Sequence, residues 1–258
     1  MKQTTDFNVV KEWCDQTKKD FRIFQTWIPR SEFESAVLHE DSISVFRGGS
    51  EKYGIALGEN PWIDPSVETF SIPRSARDLR IPKLGSDFEA KHEWDAYIVS
   101  RESFIKRDIK LKFKLFSAKE NEHLMSEINN FLHAQAPDSS VQFGNPEVVS
   151  WFGFADGNEI VATAALCRWQ SNQLVISSVA VHRNYRNQGL AKDITSLATH
   201  FGLSLEPFIA LGVFASNHPA KRAYETLGYS NVGEFASFKK RKYFNLLEKS
   251  LCCDTPNN

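Results

Sequence analysis

The chain has 258 residues, room for one large or two modest domains, and its 41% hydrophobic and 24% charged content is that of an ordinary globular protein. With 31 basic and 32 acidic residues the formal net charge is −1, which excludes a global attraction to nucleic acid or an anionic membrane. Cys14, Cys167, Cys252 and Cys253 form no metal-ligand spacing and no disulfide framework, so a reducing, cytoplasmic location is expected and no metal site. The amino terminus lacks an apolar signal core, and no apolar run approaches membrane-spanning length.

Phe7, Val10, Trp13 and Cys14 share one apolar face and predict a first helix. Ser31-Glu32-Phe33-Glu34 has the form of a capping box and predicts a short second helix through about Leu38. Ile43 to Phe46 and Tyr53 to Leu57 predict a hairpin around Arg47-Gly48-Gly49-Ser50. That turn precedes no helix and no Gly-Lys-Ser/Thr, so it is read as a plain turn and not a phosphate cradle. From Gly58 to His92 periodicity fades among Pro61, Pro65, Pro73 and Pro82, leaving a long loop and a set of short strands both open. Ala96 to Ser100 predicts one more strand.

Near residues 101–110 the pattern sharpens. Ile109, Leu111, Phe113 and Leu115 alternate with Lys110, Lys112 and Lys114, a half-buried strand whose lysine face suits a protected sheet edge. Ser117-Ala118-Lys119-Glu120 is a second capping box, before a helical face of Leu124, Ile128, Phe131 and Leu132. Val148 to Phe154 and Ile160 to Cys167 flank an Asp156-Gly157 turn, a hairpin, and Leu174 to Val181 is the next strand. A polar loop then leads into a helix marked by Leu190, Ile194, Leu197 and Phe201. Phe208 to Phe214 is a continuous apolar run, hence a buried strand. Asn217 is a good N-cap, Pro219 sits in the first turn of the helix that follows, and Gly228 suits its left-handed end. Phe235 to Phe238 supplies a last strand, with a helical tail to Leu247. No internal repeat or low-complexity tract is evident. The lysine strand and Lys239-Lys240-Arg241-Lys242 suggest nucleic acid weakly, and the balanced charge argues against it.

Two stretches carry chemistry. Residues at a loop-to-helix junction offer free N–H groups and the positive end of the helix dipole, and Gly189 lets an anion approach the backbone there. Arg186-Asn187-Gln188-Gly189-Leu190-Ala191, after a strand ending Val179-Ala180-Val181, resembles the pyrophosphate loop of the GNAT superfamily of acyl-CoA-dependent N-acyltransferases, Gln/Arg-x-x-Gly-x-Gly/Ala. Asn217, Ala220, Tyr224, Gly228 and Tyr229 match that family's Asn-x-x-Ala-x-x-x-Tyr-x-x-x-Gly-Phe/Tyr, one helix and one strand later. The resemblance covers roughly residues 110–240.

The resemblance implies an α+β fold, a mixed, mostly antiparallel central sheet flanked by helices, here with an additional N-terminal α/β region. The expected division is residues 1–105, a divergent acyltransferase-like lobe or a substrate-recognition domain; 106–245, the acyltransferase domain; and 246–258, a flexible tail. It implies acetyl-CoA as donor, held by Val179, Ala180 and Val181 along the pantetheine, by Arg186 to Ala191 at the pyrophosphate, and by Asn217, which also serves as an N-cap. It implies Tyr224 as the group that assists the departing thiolate, by hydrogen-bond donation, since a phenol near pKa 10 is a weaker acid than a thiol near 8.5. The acceptor is an amine-bearing small molecule or protein, attacking directly in a ternary complex. No nucleic-acid or membrane partner is expected. The rival expectation is a non-catalytic acyl-CoA-binding module.

The base is the gap. Many relatives place a carboxylate on the strand before the loop, but Leu174-Val175-Ile176-Ser177-Ser178 offers only hydroxyls. His182 at the loop start is read as structural. Deprotonating a lysine-like amine at pH 7 costs roughly 4.6 kcal/mol, an α-amine only about 1. The gap therefore points to a weakly basic amine, a water relay or a carboxylate from the N-terminal part. Cys167, inside an apolar strand, is not expected to carry an acyl group.

Overall fold

The computed structural model describes residues 1–39, 41–49, 51–78, 87–109, 114–118 and 122–241. Its strands are β1 (Lys2–Thr4), β2 (Phe33–His39), β3 (Ser42–Arg47), β4 (Tyr53–Leu57), β5 (Thr69–Pro73), β6 (Phe88–Ser100), β7 (Lys114–Ala118), β8 (Val148–Asp156), β9 (Glu159–Arg168), β10 (Leu174–Val181), β11 (Phe208–Phe214) and β12 (Ser230–Lys240). The helices are α1 (Phe7–Thr17), α2 (Arg22–Trp27), α3 (Glu122–Gln135), α4 (Leu190–Leu205) and α5 (His218–Glu225). None of the described helices is long and apolar enough to cross a membrane.

All the strands join one sheet in the order β1-β2-β3-β4-β5-β12-β6-β11-β10-β9-β8-β7. Read inward from either end, the order is the same. Five strands run in sequence, the fourth and fifth are parallel (β4 with β5, β10 with β11), and the sixth strand of each half lies against the fifth strand of the other. The remaining pairs are antiparallel. The architecture thus contains a topological repeat that the amino-acid sequence does not display. Strands β6 and β12 exchange between halves and pair with each other from Ser230–Ile98 to Lys240–Phe88. Residues on either side of position 105 therefore share one sheet.

Alternating side chains cover the two faces of the C-terminal half. Ala164 and Leu166 of β9 face α4, joining Leu190, Ile194 and Ala198 in one core cluster. Their neighbours Ala165 and Cys167 face α3 with Ile128, Phe131 and Leu132. Burying a Leu or Ile side chain of this kind contributes about 1.5–3 kcal/mol, and this clamps α4 onto the sheet. In the N-terminal half, α1 and α2 lay Val10, Trp13, Ile23 and Phe24 over Ile43, Val45 and Ile55.

The structure departs from expectation at Ser31 to Leu38. Ser31 and Glu32 form a turn and Phe33 to Leu38 belongs to strand β2, paired with β3, and not to a capped helix. The two glutamates of the apparent capping box serve ion pairs to β3 and the turn after it: Glu32 with Arg47 at 2.8 Å and Glu34 with Lys52 at 3.6 Å. A four-residue cap signal is outweighed by burial of Ala36 and Val37 in the sheet. The described residues of the open stretch before His92 include β5 and the start of β6, and residues 79–86 lie outside them. Lys110, Lys112, Lys119 and the expected helical tail lie outside the described residues.

Candidate active site

Strands β10 and β11 hold together in register at one point, Val175 with Ala210, and diverge beyond it. On its other side β10 pairs with β9 through Ser177–Ala165 and Ala180–Thr163, so Ser178 and Val179 together oppose Ala164. This is a β-bulge, and Ser178 carries a positive φ of 50°. The Ser178 hydroxyl donates to the Val141 carbonyl at 2.6 Å and fixes the strained residue. The bulge bends β10 away from β11 and leaves the facing backbone of both strands free to pair with something else.

The loop after β10 is braced from behind. Arg186 donates through Nε to the Val181 carbonyl at 3.3 Å and through Nη2 to the Gln135 carbonyl at 3.4 Å. Asn187 (φ 63°) and Gly189 (φ 84°) both lie in the left-handed region and turn successive N–H groups toward one side. No side chain caps α4, so its first-turn donors are unspent. A Cβ built on Gly189 would meet only Arg107 Nη2, at 3.7 Å, and Arg107 is held by Asp193 of α4 through Nε at 2.5 Å. A second guanidinium thus stands beside the loop.

Asn217 caps α5, accepting from Ala220 N at 3.2 Å. Seven residues on, Tyr224 is buried with its ring 6.3 Å from Tyr97 and 5.9 Å from Tyr229. Its hydroxyl makes no hydrogen bond among the described residues, and loss of solvent pushes its pKa up to about 12. Val179, Ala180, Val181, Arg186, Asn187, Gly189, Leu190, Ala191, Asn217 and Tyr224 all line one groove of about 1320 Å³. Gln188 is exposed and does not.

The sequence of residues 113–229 matches the acetyltransferase (GNAT) family. This segment is a GNAT domain.

Solved structures share the wider fold. The chain is similar to an acetyltransferase from the GNAT family of Colwellia psychrerythraea at 11% identity and a TM-score of 0.53, covering 93% of this chain and 100% of that one. It is similar to a GCN5-related N-acetyltransferase from Sphaerobacter thermophilus at 11% identity and 0.54, covering 93% of each. It is also similar to a tandem GNAT protein from the clavulanic acid biosynthesis pathway at 8% identity and 0.50, covering 83% and 84%. At these identities the likeness is one of fold. Comparison with curated proteins found no significant match.

Sequence reasoning missed the other wall of the GNAT groove. That wall belongs to β3, β4, β5, β6 and β12, outside the matched segment, and includes Arg47, Tyr53, Ser71, His92, Trp94 and Ser237. His92, near the end of β11, packs edge-on against Phe214 with ring centroids 5.5 Å apart. Burial, and then the charge of Lys91, lower its pKa below 6.5. The only available signal was β6 itself, where polar Lys91 and His92 precede the apolar run Ala96 to Val99. His182 is elsewhere: its Nδ1 accepts from Asn184 N at 3.2 Å and its Nε2 lies 3.4 Å from Glu159. Cys167 is fully buried and its thiol pKa is pushed to about 12, which suits packing and not nucleophilic attack.

Proposed function

We propose that the protein is an acetyl-CoA-dependent N-acetyltransferase that passes an acetyl group directly to a primary amine inside the groove. The observation that carries this reading is the opened edge of β10 beside an uncapped helix start, with the unpartnered hydroxyl of Tyr224 lining the same groove.

These residues fit acetyl-CoA. The free backbone of β10 and β11 suits the amide-bearing pantetheine as an added strand, and the N–H groups around Gly189 to Ala191 suit the pyrophosphate. Arg186 adds positive charge, and a Cβ on Gly189 would meet the guanidinium of Arg107, itself paired with Asp193, at 3.7 Å. Bound acetyl-CoA supplies an activated thioester. The chain does the rest. The Val179 N–H in the bulge donates to the thioester oxygen as negative charge develops. Tyr224 donates to the departing sulfur. His92, neutral at pH 7, accepts the proton of the attacking amine directly or through water. Asn217 combines its N-cap with a contact to the pantetheine.

The N-terminal half, repeating the strand order of the GNAT domain, is a second acyltransferase-like lobe that closes the groove. Its parallel pair stays zipped over Tyr53–Thr69, Gly54–Phe70 and Ile55–Ser71, and Phe70 occupies the space beside Gly54. It therefore offers the acceptor a wall and offers no second donor slot. The tandem GNAT protein among the similar structures supports this reading. An acceptor screen that follows release of free CoA, run with wild type and Tyr224→Phe, tests the proposal. Amine-dependent release that drops in the variant is expected. Tight acetyl-CoA binding without release for any amine would instead mark a donor-binding module.

A further inference from the structure

The wall opposite the donor slot presents hydrogen-bond donors in excess. Arg47 of β3 stands opposite Tyr53 of β4 in register, with its guanidinium 5.3 Å over the Tyr53 ring. One of its nitrogens, Nη1, donates to Glu32 at 2.8 Å and to Gln170 at 3.4 Å. Its Nε is buried with no hydrogen-bond partner among the described residues. A buried donor left in that state costs about 1–3 kcal/mol, which an acceptor placed beside the guanidinium would relieve.

Beside it, Ser71 of β5 and Ser237 of β12 face each other across the exchanged strands. Their hydroxyls are 2.8 Å apart, Tyr53 donates to Ser71 at 3.2 Å, and the Trp94 indole N–H donates to Ser237 at 2.9 Å. The four groups hold four protons and make three hydrogen bonds. If Ser71 donates to Ser237, the Ser237 proton is unspent; if Ser237 donates, the Ser71 proton is. Either way one serine hydroxyl, on a residue no more than 5% exposed, has a proton and no acceptor among the described residues. Lys91 and Lys239 line this side as well, each already paired, with Glu89 at 2.6 Å and Glu51 at 3.4 Å, while the carboxylates that line the groove, Asp138 and Glu147, belong to loops of the GNAT-domain half. Trp27 packs against Trp94 and Trp169 at centroid distances of 5.1 and 6.3 Å and gives the same groove an apolar, aromatic flank.

We propose that this wall binds a carboxylate on the acceptor, so that the substrate class is an amino acid or similar amine that carries a carboxylate and an apolar body. Arg47 supplies the positive charge, the Ser71–Ser237 pair supplies the spare hydroxyl proton, and the indoles cover the apolar part. The inference deepens the acyltransferase reading, and its binding half stands independently of turnover.

The test is equilibrium binding without acetyl-CoA, read from the tryptophan fluorescence of the full chain. The probes are N-acetylphenylalanine and its uncharged amide. The acid should bind and the amide should bind at least tenfold more weakly. Arg47→Gln and Ser237→Ala should each weaken the acid by roughly tenfold or more and leave the amide unchanged. Because Arg47→Gln strands Glu32, the pair Arg47→Gln with Glu32→Gln serves as a second variant with both charges removed. Equal binding of acid and amide, or undiminished acid binding in both Ser237→Ala and the double variant, overturns the proposal. Acetylation of phenethylamine in preference to phenylalanine also overturns it while leaving the acyltransferase reading in place. Carboxylate-selective binding with no CoA release for any amine supports the site and removes the acyltransferase reading.

Discussion

Replacing Tyr224 by Phe separates chemistry from packing. The ring sits among Tyr97, Tyr229 and the apolar cluster, and Phe preserves every one of those contacts. The hydroxyl has lost its solvent and has no partner among the described residues, so its removal should change stability by less than about 0.5 kcal/mol. The effect on turnover is different. At a pKa of about 12, against about 8.5 for a thiol, full proton transfer to the leaving sulfur is uphill by roughly 5 kcal/mol. In the proposed mechanism Tyr224 therefore works as a hydrogen-bond donor to developing negative charge. Such a bond contributes about 1.5–3 kcal/mol, and its loss should lower kcat about 10- to 150-fold. The KM for acetyl-CoA should change little. Steady-state kinetics with a thiol reporter, paired with urea unfolding of both proteins, provide the assay. An unchanged kcat removes Tyr224 from the mechanism. A kcat loss accompanied by a stability loss of several kcal/mol would assign it to packing.

Three further outcomes are expected. Asp95 is fully buried and pairs with Arg74 at 2.8 Å and Lys221 at 2.6 Å, tying the exchanged strand β6 to α5. Asp95→Ala leaves Lys221 without its carboxylate, while Arg74 keeps Glu234 at 2.8 Å, and should cost about 3 kcal/mol in urea unfolding; a loss under about 1 would contradict the pairing. Gly189→Ala places a Cβ at φ 84°, which should cost about 1–2 kcal/mol of stability and raise the KM for acetyl-CoA; an unaltered KM would argue against the cradle. His92 has a pKa below 6.5, so its basic form fills as pH rises through that value. The wild-type rate should climb at acid pH and level off near neutrality, and His92→Gln should lose that limb; a profile shared by both proteins would remove His92 as the base.

Much of the GNAT domain was legible because its signals are local. The β8–β9 hairpin is encoded by Asp156-Gly157, α5 by Asn217 and Pro219, and the loop before α4 by six consecutive residues. The N-terminal half was harder to read because its decisive interactions are distant in sequence. Ser71 meets Ser237 across 166 positions and Trp94 meets Ser237 across 143, and no window spans those separations. The strand exchange hid the repeat, since β6 completes the sheet of the half that follows it. The continuous apolar run Ala96 to Val99 did carry one clue, that of a strand covered on both faces. At Ser31 to Leu38 a short capping pattern misled, because the partners of Glu32 and Glu34 lie on β3 and in the turn that follows it.

Hydrogen exchange with and without acetyl-CoA tests the central claim most directly. Binding in the opened edge should slow exchange at the amides of residues 179–181 and 187–191, and leave the zipped β4–β5 pair unchanged. Protection confined to the β4–β5 region, or none in either segment at saturating acetyl-CoA, would contradict it.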